Sequence, residues 1–185
     1  MKLRPYQETL ISQARALMQN GCRNICLTAP TGAGKTLLIA HMLKTAQSKN
    51  LTSYFLVHRR ELLRQSVDTF KMMGVEVGVI ASGWESNPSR KIQICSIQTL
   101  ARRVDRVEKP HLVVVDETHH VCAKSWASVF NQYADAYRIG ITATPERLDG
   151  SGLDRFYTHM IHGPSVRWLI DNKFLSEFRV FAPPT

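Results

Sequence analysis

The chain has 185 residues, 44% hydrophobic and 21% charged, enough for one ordinary domain with its own core. No apolar run approaches the roughly 20 residues that cross a bilayer, and Met1-Lys2-Leu3-Arg4-Pro5-Tyr6-Gln7 lacks the apolar stretch of a secretory signal. A net charge of +9 points to a polyanionic partner, nucleic acid first, while four scattered cysteines without a C-x-x-C pair exclude a structural zinc ribbon and fit reduced thiols of a cytoplasmic protein.

Pro5 opens a helical pattern over residues 5–19, with Leu10, Ile11, Ala14, Leu17 and Met18 on one side and Asn20-Gly21 closing it. Asn24-Ile25-Cys26-Leu27-Thr28 reads as a strand; Ala29-Pro30-Thr31-Gly32-Ala33-Gly34-Lys35-Thr36 follows and opens an apolar helix ending near Asn50. Strands are predicted at 53–57, 75–80, 91–95, 111–115 and 137–141, and helices at 59–73, 97–103 and 126–133. The run at 111–115 is the most apolar, as a central parallel strand should be. This alternation predicts a doubly wound α/β fold: a mainly parallel sheet, helices on both faces, and ligands at the carboxyl ends of the strands.

Beyond Pro145 the pattern loosens, and no further strand–helix series is expected. A turn at Gly150-Ser151-Gly152, a helix over 164–173 and an extended piece at 178–181 complete the reading. Trp126 and Trp168 are read as core, Trp84 as a loop anchor or a base-stacking residue. His41, His111, His159 and His162 are assigned to packing or surface positions.

Two stretches carry chemistry. Strand, glycine-bearing loop and a helix starting at Lys35-Thr36 form the context of a phosphate-binding P-loop. Pro30, Thr31, Gly32, Ala33 and Gly34 turn the backbone around one point, where the helix start adds partial positive charge. Lys35 can reach the β- and γ-phosphates, and the Thr36 hydroxyl can ligate Mg²⁺. Ala29 replaces the first glycine of the strict pattern, which is acceptable if its φ stays negative. At the end of the most apolar strand, Asp116 can hold Mg²⁺ through water, and Glu117 can orient and deprotonate an attacking water.

In order and spacing, these stretches resemble the first RecA-like domain of superfamily 2 DNA and RNA helicases. Ala29 to Thr36 is similar to motif I, and Asp116-Glu117-Thr118-His119 to motif II of the DExH type, with Thr118 in place of the usual alanine. Thr142-Ala143-Thr144 resembles motif III, Val57-His58-Arg59-Arg60-Glu61-Leu62 motif Ia, and Ser96-Ile97-Gln98-Thr99-Leu100 the Ib region. Leu3-Arg4-Pro5-Tyr6-Gln7 resembles the adenine-reading Q-type motif. Gly140 to Gly150, with Gln98 to Arg103, looks like the RadD-like bacterial and phage branch, with type I and III restriction helicase subunits next nearest.

The resemblance implies residues 1–175 as an ATP-binding domain and 176–185 as the start of a linker to a second RecA-like domain. It implies ATP and Mg²⁺ as ligands, Arg4 and Gln7 at the nucleotide, and His119, Thr142 and Thr144 as coupling residues. Arg59, Arg60, Gln98, Thr99 and Arg102 become candidate nucleic-acid contacts, with DNA favoured over RNA; Arg103 and Arg106 extend the basic run. The superfamily's γ-phosphate arginine comes from the second domain, and such a finger is worth about 10³–10⁵ in turnover. The chain alone is therefore expected to bind ATP but hydrolyse it slowly. A nucleic-acid-binding module with a vestigial ATP site and a small-molecule P-loop enzyme are the alternatives.

Overall fold

The computed structural model describes residues 2–118, 124–144, 153 and 156–177. His119, the turn at 150–152 and the extended piece at 178–181 lie outside the described residues, as does most of the expected linker. Elements follow in the order α1 (Pro5–Gln19), β1 (Asn24–Thr28), α2 (Lys35–Ser48), β2 (Ser53–Val57), α3 (Arg60–Met72), β3 (Gly78–Ile80), β4 (Ile92–Ser96) and α4 (Ile97–Ala101). After a 3₁₀ turn at Val104–Arg106 come β5 (Leu112–Asp116), α5 (Lys124–Gln132), β6 (Tyr137–Thr142), β7 (His159–His162) and α6 (Val166–Asp171).

The strands form one seven-stranded sheet in the order β3-β4-β2-β5-β6-β1-β7, with every pairing parallel. Strand alternation divides the core. Phe55 and Val57 of β2 face the side covered by α1, α2 and α3, where Leu10, Leu43 and Phe70 pack with them. Tyr54 and Leu56 face the other side, against Ile97 and Leu100 of α4 and Trp126, Val129 and Phe130 of α5. Burial on both faces explains the unbroken apolar run of β5, whose central Val114 and Val115 are fully covered.

Three expectations are corrected. The strand over 75–80 shortens to Gly78–Ile80, because Val75 instead closes the turn after α3, its N–H bonding Phe70 O. The chain past Thr144 does add to the sheet: β7 pairs with β1 as an edge strand, ahead of the helix α6. Of β7 only Ile161 is buried; His159, Met160 and His162 are exposed, so the segment carries little of the apolar signal of the central strands. Trp168 is not core. It is 41% exposed, lying on Phe174 rather than beneath the sheet. Trp126 is buried as expected, and Trp84 packs its ring against the core as a loop anchor.

Candidate functional site

All the chemistry-bearing stretches fall at the carboxyl ends of adjacent strands. β1 ends at Thr28, and the chain turns through residues 29–34 into α2, with Gly32 at φ 83° and Gly34 at φ 74°. Ala29 is not among the residues of positive φ, which explains why alanine serves at that position. Gly34 precedes the helix without a side-chain cap, so no side chain there competes for the N–H groups of the first turn, an arrangement suited to an anion.

Buried partners hold the loop from behind. Tyr6 donates its hydroxyl to Ala33 O at 2.8 Å, and Gln7 Nε2 donates to Ala33 O at 3.0 Å and Gly34 O at 3.3 Å. Gln7 Oε1 accepts the Arg4 N–H at 2.9 Å, and the residue is only 1% exposed. A Cβ on Gly34 would lie 2.6 Å from Gln7 Nε2, so the close approach requires glycine. Pro30, Thr31 and Thr36 stand at the open side of the loop, Thr31 and Thr36 exposed. Gln7 thus meets the P-loop through its Nε2 while its Oε1 holds the start of α1, a placement that sequence spacing did not reveal.

Lys35 leans across to the end of β5, where its Nζ lies 2.9 Å from Glu117 Oε1. Glu117 reaches that position through a left-handed backbone, φ 49°, a conformation that costs a non-glycine residue about 1–2 kcal/mol. Its N–H donates to Asp116 Oδ1 at 3.0 Å. Burial, with the charge of Glu117, raises the Asp116 carboxyl above its ordinary value, while Lys35 and that N–H pull it back. Two acids facing one lysine form a hard-oxygen donor set that a divalent cation would relieve, so Asp116 and Thr36 fit Mg²⁺ chemically.

Thr118 follows, fully buried, and shares a 2.5 Å hydrogen bond with the Tyr157 hydroxyl. Tyr157 in turn lies where a Cβ on Gly140 would be, 2.5 Å from its Cζ. Thr118 is therefore a packing residue that anchors the acidic pair to β6. This role gives threonine, with its hydroxyl, a reason at that position, and the signal was long-range.

Thr142, at the end of β6, is also buried; its Oγ1 donates to Thr144 O at 2.9 Å and accepts the Thr144 N–H at 3.1 Å. Its carbonyl accepts the Ala29 N–H at 2.9 Å, a direct backbone link from motif III to the first residue of the P-loop. Across the sheet, Gln98 Nε2 donates to His58 O at 3.1 Å and Ser96 Oγ donates to Gln98 Oε1 at 2.9 Å, tying the ends of β2 and β4. Arg60 donates to Ser82 O at 3.0 Å, while Arg59 and Arg102 are exposed and Thr99 half-buried. The structure therefore brings Lys35, Asp116 and Glu117 together. The basic candidates occupy the other end of the same edge.

Residues 1–147 match the family described as type III restriction enzyme, res subunit (ResIII). The chain belongs to that family. A 51.5 kDa protein of a Lactococcus phage (isolate 7-9) is 34% identical over 86% of the chain and 32% of its own length. The putative ATP-dependent helicase IRC3 of Saccharomyces cerevisiae is 28% identical over 95% of the chain and 28% of its own length. The ResIII chain thus spans about a third of these curated relatives. Among solved structures, a nuclease-deletion mutant of the type ISP restriction-modification enzyme LlaGI, in complex with a DNA substrate mimic, superposes with a TM-score of 0.75. It is 17% identical, covering 94% of this chain and 21% of that one, a likeness of fold. The ResIII chain is an N-terminal RecA-like domain of the superfamily 2 helicase type.

Proposed function

We propose that this domain binds ATP with Mg²⁺ and forms the nucleotide-binding half of a DNA helicase or translocase whose second RecA-like domain supplies the γ-phosphate arginine. The observation that carries this reading is the 2.9 Å Lys35–Glu117 pair, which joins the P-loop to the acidic strand end. A triphosphate on the α2 N-terminus replaces the Glu117 carboxylate as the partner of Lys35, whose ammonium then lies on the β- and γ-phosphate oxygens. Glu117, released from the lysine, orients a water and accepts its proton as the water oxygen bonds to the γ-phosphorus and the bond to ADP breaks. Mg²⁺, when bound by Thr36 and Asp116, neutralises charge on the phosphates.

The Thr142 carbonyl on Ala29 supports a coupling role for Thr142 and Thr144, because a shift of one strand end moves the other. Arg59, Arg60, Gln98, Thr99 and Arg102 then serve as contacts to a DNA backbone, indifferent to base sequence. The LlaGI structure in complex with a DNA substrate mimic supports DNA as the track, and the helicase name of the yeast relative supports a motor. The isolated domain hydrolyses ATP slowly, for want of an arginine worth about 10³–10⁵ in turnover.

Binding and turnover by this chain test the reading. Lys35→Ala is expected to abolish measurable ATP binding, and Glu117→Gln to keep ATP affinity within a few-fold while lowering residual hydrolysis by about 10²-fold or more. Unchanged ATP affinity in Lys35→Ala would remove the phosphate site, and fast DNA-stimulated turnover by the unaltered chain would remove the need for a second domain.

A further inference from the structure

At the edge of the sheet opposite the P-loop, α1 and α2 part over the amino ends of β5 and β6 and leave a cavity of about 620 Å³. Its walls are Ile11 and Ala14 of α1 and Met42 and Ala46 of α2; its floor is Leu112 of β5 and Ile139 of β6. Both helices present an alanine where a larger side chain would close the gap, so the hollow has its origin in the sequence. Its volume falls within the roughly 300–1,000 Å³ of small-molecule sites, which are likewise mostly apolar with a few polar groups.

The rim carries the opposite chemistry. Arg15, Arg23, Lys49 and Lys109, all exposed, line it with Asp135 as the one carboxylate among the described residues: four cations to one acid, against 24 to 15 in the whole chain. Arg23 is held in place, its Nη1 donating to Asp135 O and its guanidinium 5.4 Å over the Tyr137 ring. The side chains of Arg15, Lys49 and Lys109 have no hydrogen bond or ion pair among the described residues, so their charges are open to an anion. Inorganic phosphate or a nucleic-acid backbone meets those cations but leaves the apolar walls wet. A molecule with an apolar body and one acidic head satisfies both.

We propose that this cavity binds a small amphiphilic organic anion, an alkyl or aryl carboxylate whose apolar body lies between Ala14 and Ala46 and whose head is met by Lys49 and Lys109. The site stands apart from the P-loop reading and does not depend on it. β5 and β6 run from the cavity floor to Asp116 and Thr142 at their far ends, so a nucleotide and the organic anion are held on opposite edges of one sheet.

The test is fluorescence titration of the 185-residue chain with the aryl anion anilinonaphthalene sulfonate, then competition by decanoate and by decyltrimethylammonium, which pairs a similar apolar body with the opposite charge. Decanoate should displace the dye, and the ammonium should compete at least about tenfold less well. Lys49→Glu combined with Lys109→Glu should weaken dye and decanoate by about tenfold or more, and Ala46→Phe, which fills the gap, should remove binding. Loss of packing raises the fluorescence of this dye, so a fall in either variant is not a sign of unfolding. Should Ala46→Phe loosen the fold, the exposed lysine pair decides alone. No binding of dye or decanoate by the unaltered chain, unchanged affinity in the lysine pair, or equal displacement by decyltrimethylammonium would overturn the site. So would displacement by tripolyphosphate that Lys35→Ala removes, which would put the dye on the P-loop. Displacement by an acidic amphipathic helical peptide but not by decanoate would make the cavity a protein-docking groove and overturn the proposal as well.

Discussion

At the β1 end of the sheet's carboxyl edge, the loop carbonyls of Ala33 and Gly34 are taken up by Tyr6 and Gln7, and Leu175 lies across Gly32. At the β2–β4 end, Arg59 and Arg102 project from exposed positions, and the order there comes from Gln98 bridging His58 and Ser96 through surface atoms. The first region is preorganised: its donors are fixed before a ligand arrives, so little ordering entropy is lost on binding. The second keeps long, adaptable cations that suit a backbone of repeating phosphates. Under the proposed function, one edge thus combines a rigid grip for a small ligand with a yielding surface for a polymer. Glu117, just past β5, and Thr142, at the end of β6, lie between the two.

The largest effect expected from this contrast is at Gly34. An alanine there must adopt φ near 74° and push against Gln7 Nε2, so Gly34→Ala should cost about 2–4 kcal/mol in chemical denaturation. Next is Gln7→Leu, which strands the Arg4 N–H and leaves Ala33 O to Tyr6 alone and Gly34 O to the Leu38 N–H alone: about 1–3 kcal/mol, with a parallel loss of tripolyphosphate affinity in titration. Smallest in stability is Arg59→Ala combined with Arg102→Ala, expected within about 0.5 kcal/mol of the parent. That pair should instead flatten the dependence of DNA affinity on salt, by about one unit of log–log slope for each phosphate no longer neutralised. If the arginine pair destabilised the fold as much as Gln7→Leu, the distinction between rigid and yielding ends would break; an unchanged salt slope would remove DNA from that face.

Much of the architecture was legible because it rests on local pattern. The bounds of α1, β1 and β2 follow from apolar spacing and from Pro5, and the two-sided burial of β5 from its unbroken run of valines. Lys35 at a helix start and the Asp116-Glu117 pair at a strand end stood out in the sequence because neither place gives them a packing reason, and Lys35 and Glu117 do meet in space. What sequence could not supply was pairing at a distance. β7 is recognisable only beside β1, because three of its four side chains face water. Trp168 reads as core by helical spacing, yet α6 buries Leu169 and leaves the indole to Phe174 and Tyr6. Gln7 resembled a base reader, and its bonds to Ala33 and Gly34 depend on α1 meeting a loop 26 residues on. Thr118 has its reason in Tyr157, 39 residues away.

The Arg4–Phe174 contact joins residues 170 positions apart, and β7 is a late arrival beside one of the earliest strands. A ribosome therefore releases the glycine turn long before it releases the rings and the edge strand that brace it. Until residues 159–162 emerge, β1 is an open margin liable to pair with the wrong chain, and Tyr6 waits without its aromatic neighbours. Competence for ligand arrives only with the final stretch of this domain, so a stalled or truncated translation product exposes an unfinished loop rather than a working one.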